Sequence, residues 1–215
     1  MQGTSLNGGL RIKPVSASDL AGVARVHCAA FPASALTALG REAVRRYYDW
    51  QLSGPHDAVS IAAVRSAEVV GFCVAGRFNG AMSGFLRKNR LFLAARVLMH
   101  PSLVCNPLVR DRLALALRLL QRRHGGPKAK PRQASFDVLS IAVDPRIQGS
   151  GGGKLLLDEC EAEAARRGFR VMNLSVETGN LRAVRFYERN GWTKTPADGP
   201  WTGRMTKVLG SAGEA

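Results

Sequence analysis

The chain has 215 residues, 46% of them hydrophobic and 22% charged, and a formal net charge of +15. That length and apolar share fit one globular domain over 1–215 with a proper core, and exclude global disorder. Cys28, Cys73, Cys105 and Cys160 are scattered without Cys-x-x-Cys spacing, which argues against a zinc site or a disulfide framework and for reduced thiols.

In chain order, the first nine residues do not read as a secretion signal. No apolar run reaches the ~18 residues that cross a bilayer, so a cytoplasmic location is expected. Leu10 to Lys13 reads as a short first strand. Ser16 to Asp19 offers a capping-box start to a helix running towards Ala30, with Pro32 stopping it. A second helix is predicted from about Leu36 to Leu52. Ala58 to Arg65 and Val69 to Ala75 read as two strands joined by a short turn at Ser66.

Between strands three and four lies an insertion, about 77–132. Its thirteen Lys/Arg against the single acid Asp111 give +12, nearly the whole net charge. Two helix-like segments are predicted in it, roughly Phe85 to Met99 and Leu108 to Arg123. In the second, Val109, Leu113, Leu117 and Leu120 form a stripe opposite Arg112, Arg118, Arg122 and Arg123. Residues 125–131 then read as a basic link back to the sheet.

Strand four is predicted at about Ser135 to Val143. After it comes Gln148-Gly-Ser-Gly-Gly-Gly153, and then a helix whose Leu156, Leu157, Cys160 and Ala164 share one face, ended by Gly168. Phe169 to Val176 reads as strand five and Asn180 to Arg189 as a fourth helix with an exit turn at Asn190-Gly191. One or two closing strands follow, to about Val208. The order is mixed α/β, a central sheet sandwiched by helices.

The glycine stretch carries the chemistry. Four glycines in six residues bare several backbone N–H groups where a helix begins, and free amides and a helix N-terminus both favour an anion such as a phosphate. The plain alternative is a flexible strand-to-helix turn. Leu155, not a hydroxyl, follows Lys154, and only Gly151 and Gly153 keep part of the dinucleotide spacing, so kinase and dehydrogenase readings become minor alternatives.

Two blocks resemble the GNAT family of acyl-CoA N-acyltransferases. One is Leu139-x-x-x-Val143-x-Pro145 followed by Gln148-x-x-Gly151-x-Gly153. The other is Leu174-Ser-Val176 with Asn180-x-x-Ala183-x-x-Phe186-Tyr187-x-x-x-Gly191-Trp192. The resemblance implies a mostly antiparallel central sheet with helices on both faces, acetyl-CoA as cosubstrate and no metal. A splayed fourth strand would pair with pantetheine along Ile141, Ala142 and Val143. The amides of Gln148, Gly149, Ser150, Gly151, Gly152 and Gly153 would hold the pyrophosphate. Tyr187 would be the general acid beside the thioester sulfur, and Asn180 would cap its helix and approach the cofactor.

Asp137 stands eleven residues before Gln148, where some members carry a catalytic Glu; its plain alternative is a solvated strand-edge carboxylate. Glu177 is the second candidate base. Nothing ties His27 or His56 to the site, and Trp50, Trp192 and Trp201 read as core or rim aromatics.

The expected function is acetyl transfer to a primary amine, and the basic insertion suggests steering of an anionic or nucleotide-linked amino sugar. A solvated charged hairpin and peripheral contact with an anionic inner membrane face are the other readings of the insertion. Nucleic acid is disfavoured because only Phe85 and Phe92 punctuate the basic positions. A homodimer is compatible with all of this. The competing function is a non-catalytic CoA-responsive or basic binding module on the same fold.

Overall fold

The structure, a computed structural model, describes residues 9–101 and 135–210. Seven strands form one sheet in the order β1-β2-β3-β4-β5-β7-β6. They are β1 (Arg11–Pro14), β2 (Asp57–Arg65), β3 (Glu68–Arg77), β4 (Phe136–Val143), β5 (Val171–Ser175), β6 (Thr193–Lys194) and β7 (Arg204–Val208). Every neighbouring pair is antiparallel except β4 and β5. The mixed, mostly antiparallel fold expected from the sequence is thus the one found. Ser66 and Ala67, with φ of 48° and 66°, turn β2 into β3 in two left-handed residues, the handedness that follows strand twist.

The helices, in chain order, are α1 (Leu20–Ala30), α2 (Ala35–Ala38), α3 (Arg41–Ser53), α4 (Ala81–Lys88), α5 (Arg90–Met99), α6 (Gly152–Arg166) and α7 (Leu181–Arg189). Alternation along the strands supplies two apolar faces. On one, Phe136, Val138, Met172 and Leu174 pack with Leu156, Leu157, Cys160 and Ala164 of α6 and Tyr187 of α7. On the other, Phe72, Val74 and Ala142 pack with Leu20, Val23, Val44, Tyr47 and Tyr48 of α1 and α3.

Three expectations need correction. The helix predicted from Leu36 to Leu52 is two, because Gly40 takes φ +96° between α2 and α3 and its carbonyl restarts the helix by accepting from Ala43 and Val44. The helix predicted from Phe85 to Met99 begins earlier, at Ala81, and is cut at Asn89. There the side chain donates to the Phe85 carbonyl at 3.0 Å, competing with helix continuation. Strand five starts at Val171, since Phe169 N–H donates to the Ala164 carbonyl and Gly168 N–H to that of Ala165, a glycine-centred stop for α6. The helix predicted over Leu108 to Arg123 and the link at 125–131 lie outside the described residues.

Candidate active site

The site begins where the sheet comes apart. β4 pairs with β5 only over Phe136–Val138 against Met172–Leu174, while its other edge stays on β3 as far as Val143. β5 meanwhile keeps its pairing with β7 through Ser175. Opposite Val74 and Ala75 the register of β4 skips Leu139, a bulge that bends the strand at the residue where the β5 pairing ends. The gap so formed exposes one backbone edge of β4.

Which backbone groups face that gap follows from the ladder. Asp144 N–H donates to the Val70 carbonyl at 2.8 Å, and bonded and unbonded pairs alternate in an antiparallel ladder. Ala142 and Ser140 therefore spend their main-chain groups on β3, whereas those of Ile141 and Val143 point to the open side. Ala142, counted with them from the sequence, contributes its side chain to the α1/α3 core instead. The Gln148 side-chain amide donates to the Val143 carbonyl at 3.3 Å, so one open-edge acceptor is already engaged.

Asp144, which sequence reasoning passed over, fixes the path out of β4. Its carboxylate, 1% exposed, caps the turn Pro145–Ile147 by accepting from Arg146 N–H at 3.0 Å, and it holds the Arg146 and Arg25 guanidinia at 2.7 and 2.6 Å. The Arg146 hydrogen bond holds its pKa well below the usual carboxylate range, against the upward push of burial. The signal was present as Asp-Pro, an acidic N-cap before a proline.

Past that turn, Gly149 and Gly151 take φ of +90° and +83°, a conformation L-residues adopt at a cost. A Cβ on either would meet nothing within 4 Å, so it is the backbone angle and not crowding that calls for glycine there. The amides of Gly149, Gly151, Gly152 and Gly153 donate to no backbone carbonyl among the described residues. They stand at the N-terminus of the fifteen-residue α6, where the helix dipole adds to their attraction for an anion. Ser150 turns its hydroxyl back to the Ile147 carbonyl at 2.7 Å.

The second block closes on the same place. Asn180 caps α7, its side-chain oxygen accepting from Ala183 N–H at 3.1 Å. A Cβ built on Gly153 would lie 3.6 Å from the Phe186 ring and 3.8 Å from Val143, so the glycine loop, the end of β4 and α7 converge. Tyr187, next to Phe186, is 8% exposed, and its hydroxyl has no hydrogen-bond partner among the described residues. Burial raises its pKa, and the nearby Cys73 and Cys160 thiols raise it further, so the phenol keeps its proton at neutral pH.

Asp137 lies on the opposite face of the sheet from Tyr187, since its neighbours Phe136 and Val138 both point into the core that holds Tyr187. Its Oδ1 accepts from Asn173 Nδ2 at 3.2 Å and Ser135 Oγ at 3.1 Å. The row continues through Asn173 Oδ1, Thr206 and Thr195 across β5, β7 and the residue after β6. Glu177 lines a cleft of about 470 Å³ with Ser175, Thr178 and Thr202 at the end of β5. His56 accepts from Asn79 N–H and stays apart from the site. Trp50 packs beside it, Trp192 is buried in the core, and Trp201 is stacked under Lys194.

Residues 117–192 match the model of the acetyltransferase (GNAT) family. That stretch, about a third of the chain, is what carries the family's signature. Over 69 residues, 32% of this chain and 22% of the relative, it is 39% identical to the mycothiol acetyltransferase of Geodermatophilus obscurus. Over 73 residues, 34% of this chain and 32% of the relative, it is 33% identical to an uncharacterized N-acetyltransferase of Methanocaldococcus jannaschii. The chain thus spans about a fifth of the length of the mycothiol acetyltransferases it matches. Among solved structures, the PaiA N-acetyltransferase of Thermoplasma acidophilum, in complex with coenzyme A, superposes with a TM-score of 0.58 at 14% identity. That match covers 94% of this chain and 99% of that one. YncA of Salmonella typhimurium, with its cofactor acetyl-CoA, gives 0.56 at 17%, covering 96% and 98%. At these identities the structures speak for the GNAT fold.

Proposed function

We propose that the protein is an acetyl-CoA-dependent N-acetyltransferase that acetylates a primary amine by direct attack in a ternary complex. The observation that carries this is the open stretch of β4 from Leu139 to Val143, which runs straight into the bare amides at Gly149–Gly153. A pantetheine arm laid beside Ile141 and Val143 replaces the missing β5 partner, and its diphosphate reaches the N-terminus of α6.

Tyr187 and Asp137 flank the gap from opposite faces and take opposite roles. Asp137 draws in the ammonium and takes its proton. The amine nitrogen then attacks the thioester carbon, the C–N bond forms, the C–S electrons leave on sulfur, and the nitrogen gives up its second proton to water. The Tyr187 phenol gives its proton to that thiolate, and the phenolate, disfavoured by burial, is reprotonated from water. Glu177, in the cleft at the end of β5, is the second carboxylate able to receive the amine. Asn180 both starts α7 and faces the cofactor side. The acceptor is a small amine. The charge of 77–132 favours one carrying phosphate, such as a nucleotide-linked amino sugar, although the steering residues Arg118, Arg122 and Arg123 fall outside the described residues.

Calorimetry with acetyl-CoA, followed by thiol release over a panel of amines with mass detection of the acetylated product, tests this. Tight binding and amine-dependent release that vanishes in Tyr187→Phe are expected. Binding without release from any amine would leave a CoA-responsive module, and no binding would overturn the reading.

A further inference from the structure

The α1/α3 layer is apolar around Phe72, Val74 and Val44, yet a row of polar side chains crosses it. The Tyr48 hydroxyl donates to Ser140 Oγ at 2.9 Å, His27 Nδ1 lies 2.8 Å from the same phenol oxygen, and His27 Nε2 lies 3.3 Å from Ser34 Oγ. Tyr48 and His27 are 3% and 7% exposed. Burying the Tyr48 phenol and the His27 ring is costly unless each is satisfied, and an apolar filling would serve packing alone as well.

With the phenol proton given to Ser140, the tautomer that completes the row carries its proton on Nδ1 and donates to Tyr48, leaving Nε2 as an acceptor beside Ser34 Oγ. Ser140 is left with its own proton, which it gives to no group among the described residues. Ser140 sits in the stretch of β4 that has lost β5, immediately before Ile141, whose amide faces the gap.

We propose that Ser140 is a further catalytic residue: its hydroxyl, polarised by Tyr48 and His27, donates to the thioester oxygen beside the Ile141 amide as negative charge develops there. Donors aligned in advance and pointed at developing charge lower a barrier without reorganising, and a row of them polarises its last member. Tyr48 and His27 are positioning residues that act through Ser140. Burial lowers the His27 pKa to about 4, which keeps it neutral, and the titratable groups acting on Tyr48 among the described residues are Cys28 of α1, Tyr47 of α3 and Cys73 of β3.

The inference rests on the proposed acetyl transfer, so the test starts from an amine of the panel that the wild type acetylates. With that amine and acetyl-CoA, Ser140→Ala is expected to lower kcat about 100-fold, with KM for acetyl-CoA and the calorimetric Kd for CoA within twofold of wild type. Tyr48→Phe should reproduce the loss, and the double variant should be no worse than either, as members of one unit behave. His27→Asn, whose amide replaces Nδ1–H, should restore turnover that His27→Leu loses. A kcat for Ser140→Ala within threefold of wild type overturns this inference alone, as does additive loss in the double variant. A wild type that acetylates no amine of the panel overturns it together with the reading of the site.

Discussion

The indole N–H of Trp192 donates to the Glu161 carboxylate at 3.0 Å, tying the turn after α7 to the middle of α6. Lys207 of β7 reaches the other carboxylate oxygen at 2.6 Å and also the Asn190 carbonyl at 2.7 Å. Glu161 thereby sets the spacing between α6, which carries the glycine loop, and α7, which carries Tyr187. Its carboxylate is 14% exposed, and Lys207 is 22% exposed. Glu161→Ala leaves the Lys207 ammonium without its counter-charge, held only by the Asn190 carbonyl, and the indole N–H without an acceptor, and should cost about 2–4 kcal/mol in urea unfolding. Glu161→Gln, which keeps an acceptor for Trp192, should cost less.

Tyr187→Phe separates structure from chemistry. Because no hydrogen bond ties the hydroxyl among the described residues, its loss should leave the melting temperature within about 2 °C or raise it slightly. Turnover should nonetheless fall steeply. A clear loss of stability in differential scanning calorimetry would show that the phenol holds the fold and not a proton for sulfur.

The four glycines of the loop should not be equivalent. Gly151→Ala places a side chain at φ +83° and should strain the loop by about 1 kcal/mol and weaken CoA binding at least tenfold. Gly153 has no such angle, and the space around it accepts a Cβ in ordinary contact with Phe186 and Val143. Gly153→Ala should keep the melting temperature and change CoA affinity less. Calorimetric titration of the two variants side by side makes the comparison.

Acid should weaken the fold through His27 before most carboxylates titrate. Its folded pKa of about 4 lies below the ordinary 6.5, so the unfolded chain takes up a proton that the folded one refuses. Stability is then full above pH 6.5 and is lost as pH falls towards 4, by about 3 kcal/mol in all. His56, shifted the same way, adds to the trend. Glu42, lowered to about 2 chiefly by Arg45, and Asp144 contribute losses that end only at lower pH. Urea midpoints from pH 7 to 4 should flatten in His27→Asn relative to wild type.

Local signals in this chain were readable where one residue type dictates backbone geometry. Gly168 and Gly191 stop α6 and α7, Asn180 starts α7, and the face of Leu156, Leu157, Cys160 and Ala164 is buried as its spacing implied. The break at Gly40 was harder to read, because Leu36 to Leu52 keeps a helical apolar period across it while a tertiary contact, Arg96 donating to the Leu39 carbonyl at 3.1 Å, rewards the interruption. Long-range chemistry was not legible at all. His27, Tyr48 and Ser140 are 21 and 92 residues apart in sequence, and only the stacking of α1 and α3 on β4 brings them together. Likewise the loss of Ala142 from the open edge depends on ladder phase, which the order of residues does not disclose.

The parallel seam of three residue pairs between β4 and β5 has a consequence for the sheet as a whole. The four strands before it and the three after it are two leaves, hinged on a short stitch and on the helices that bridge them. A guest that zips along the vacant margin of the first leaf lengthens the stitch. Holding the two leaves at one angle and filling the cleft would then be a single event for any strand-like guest.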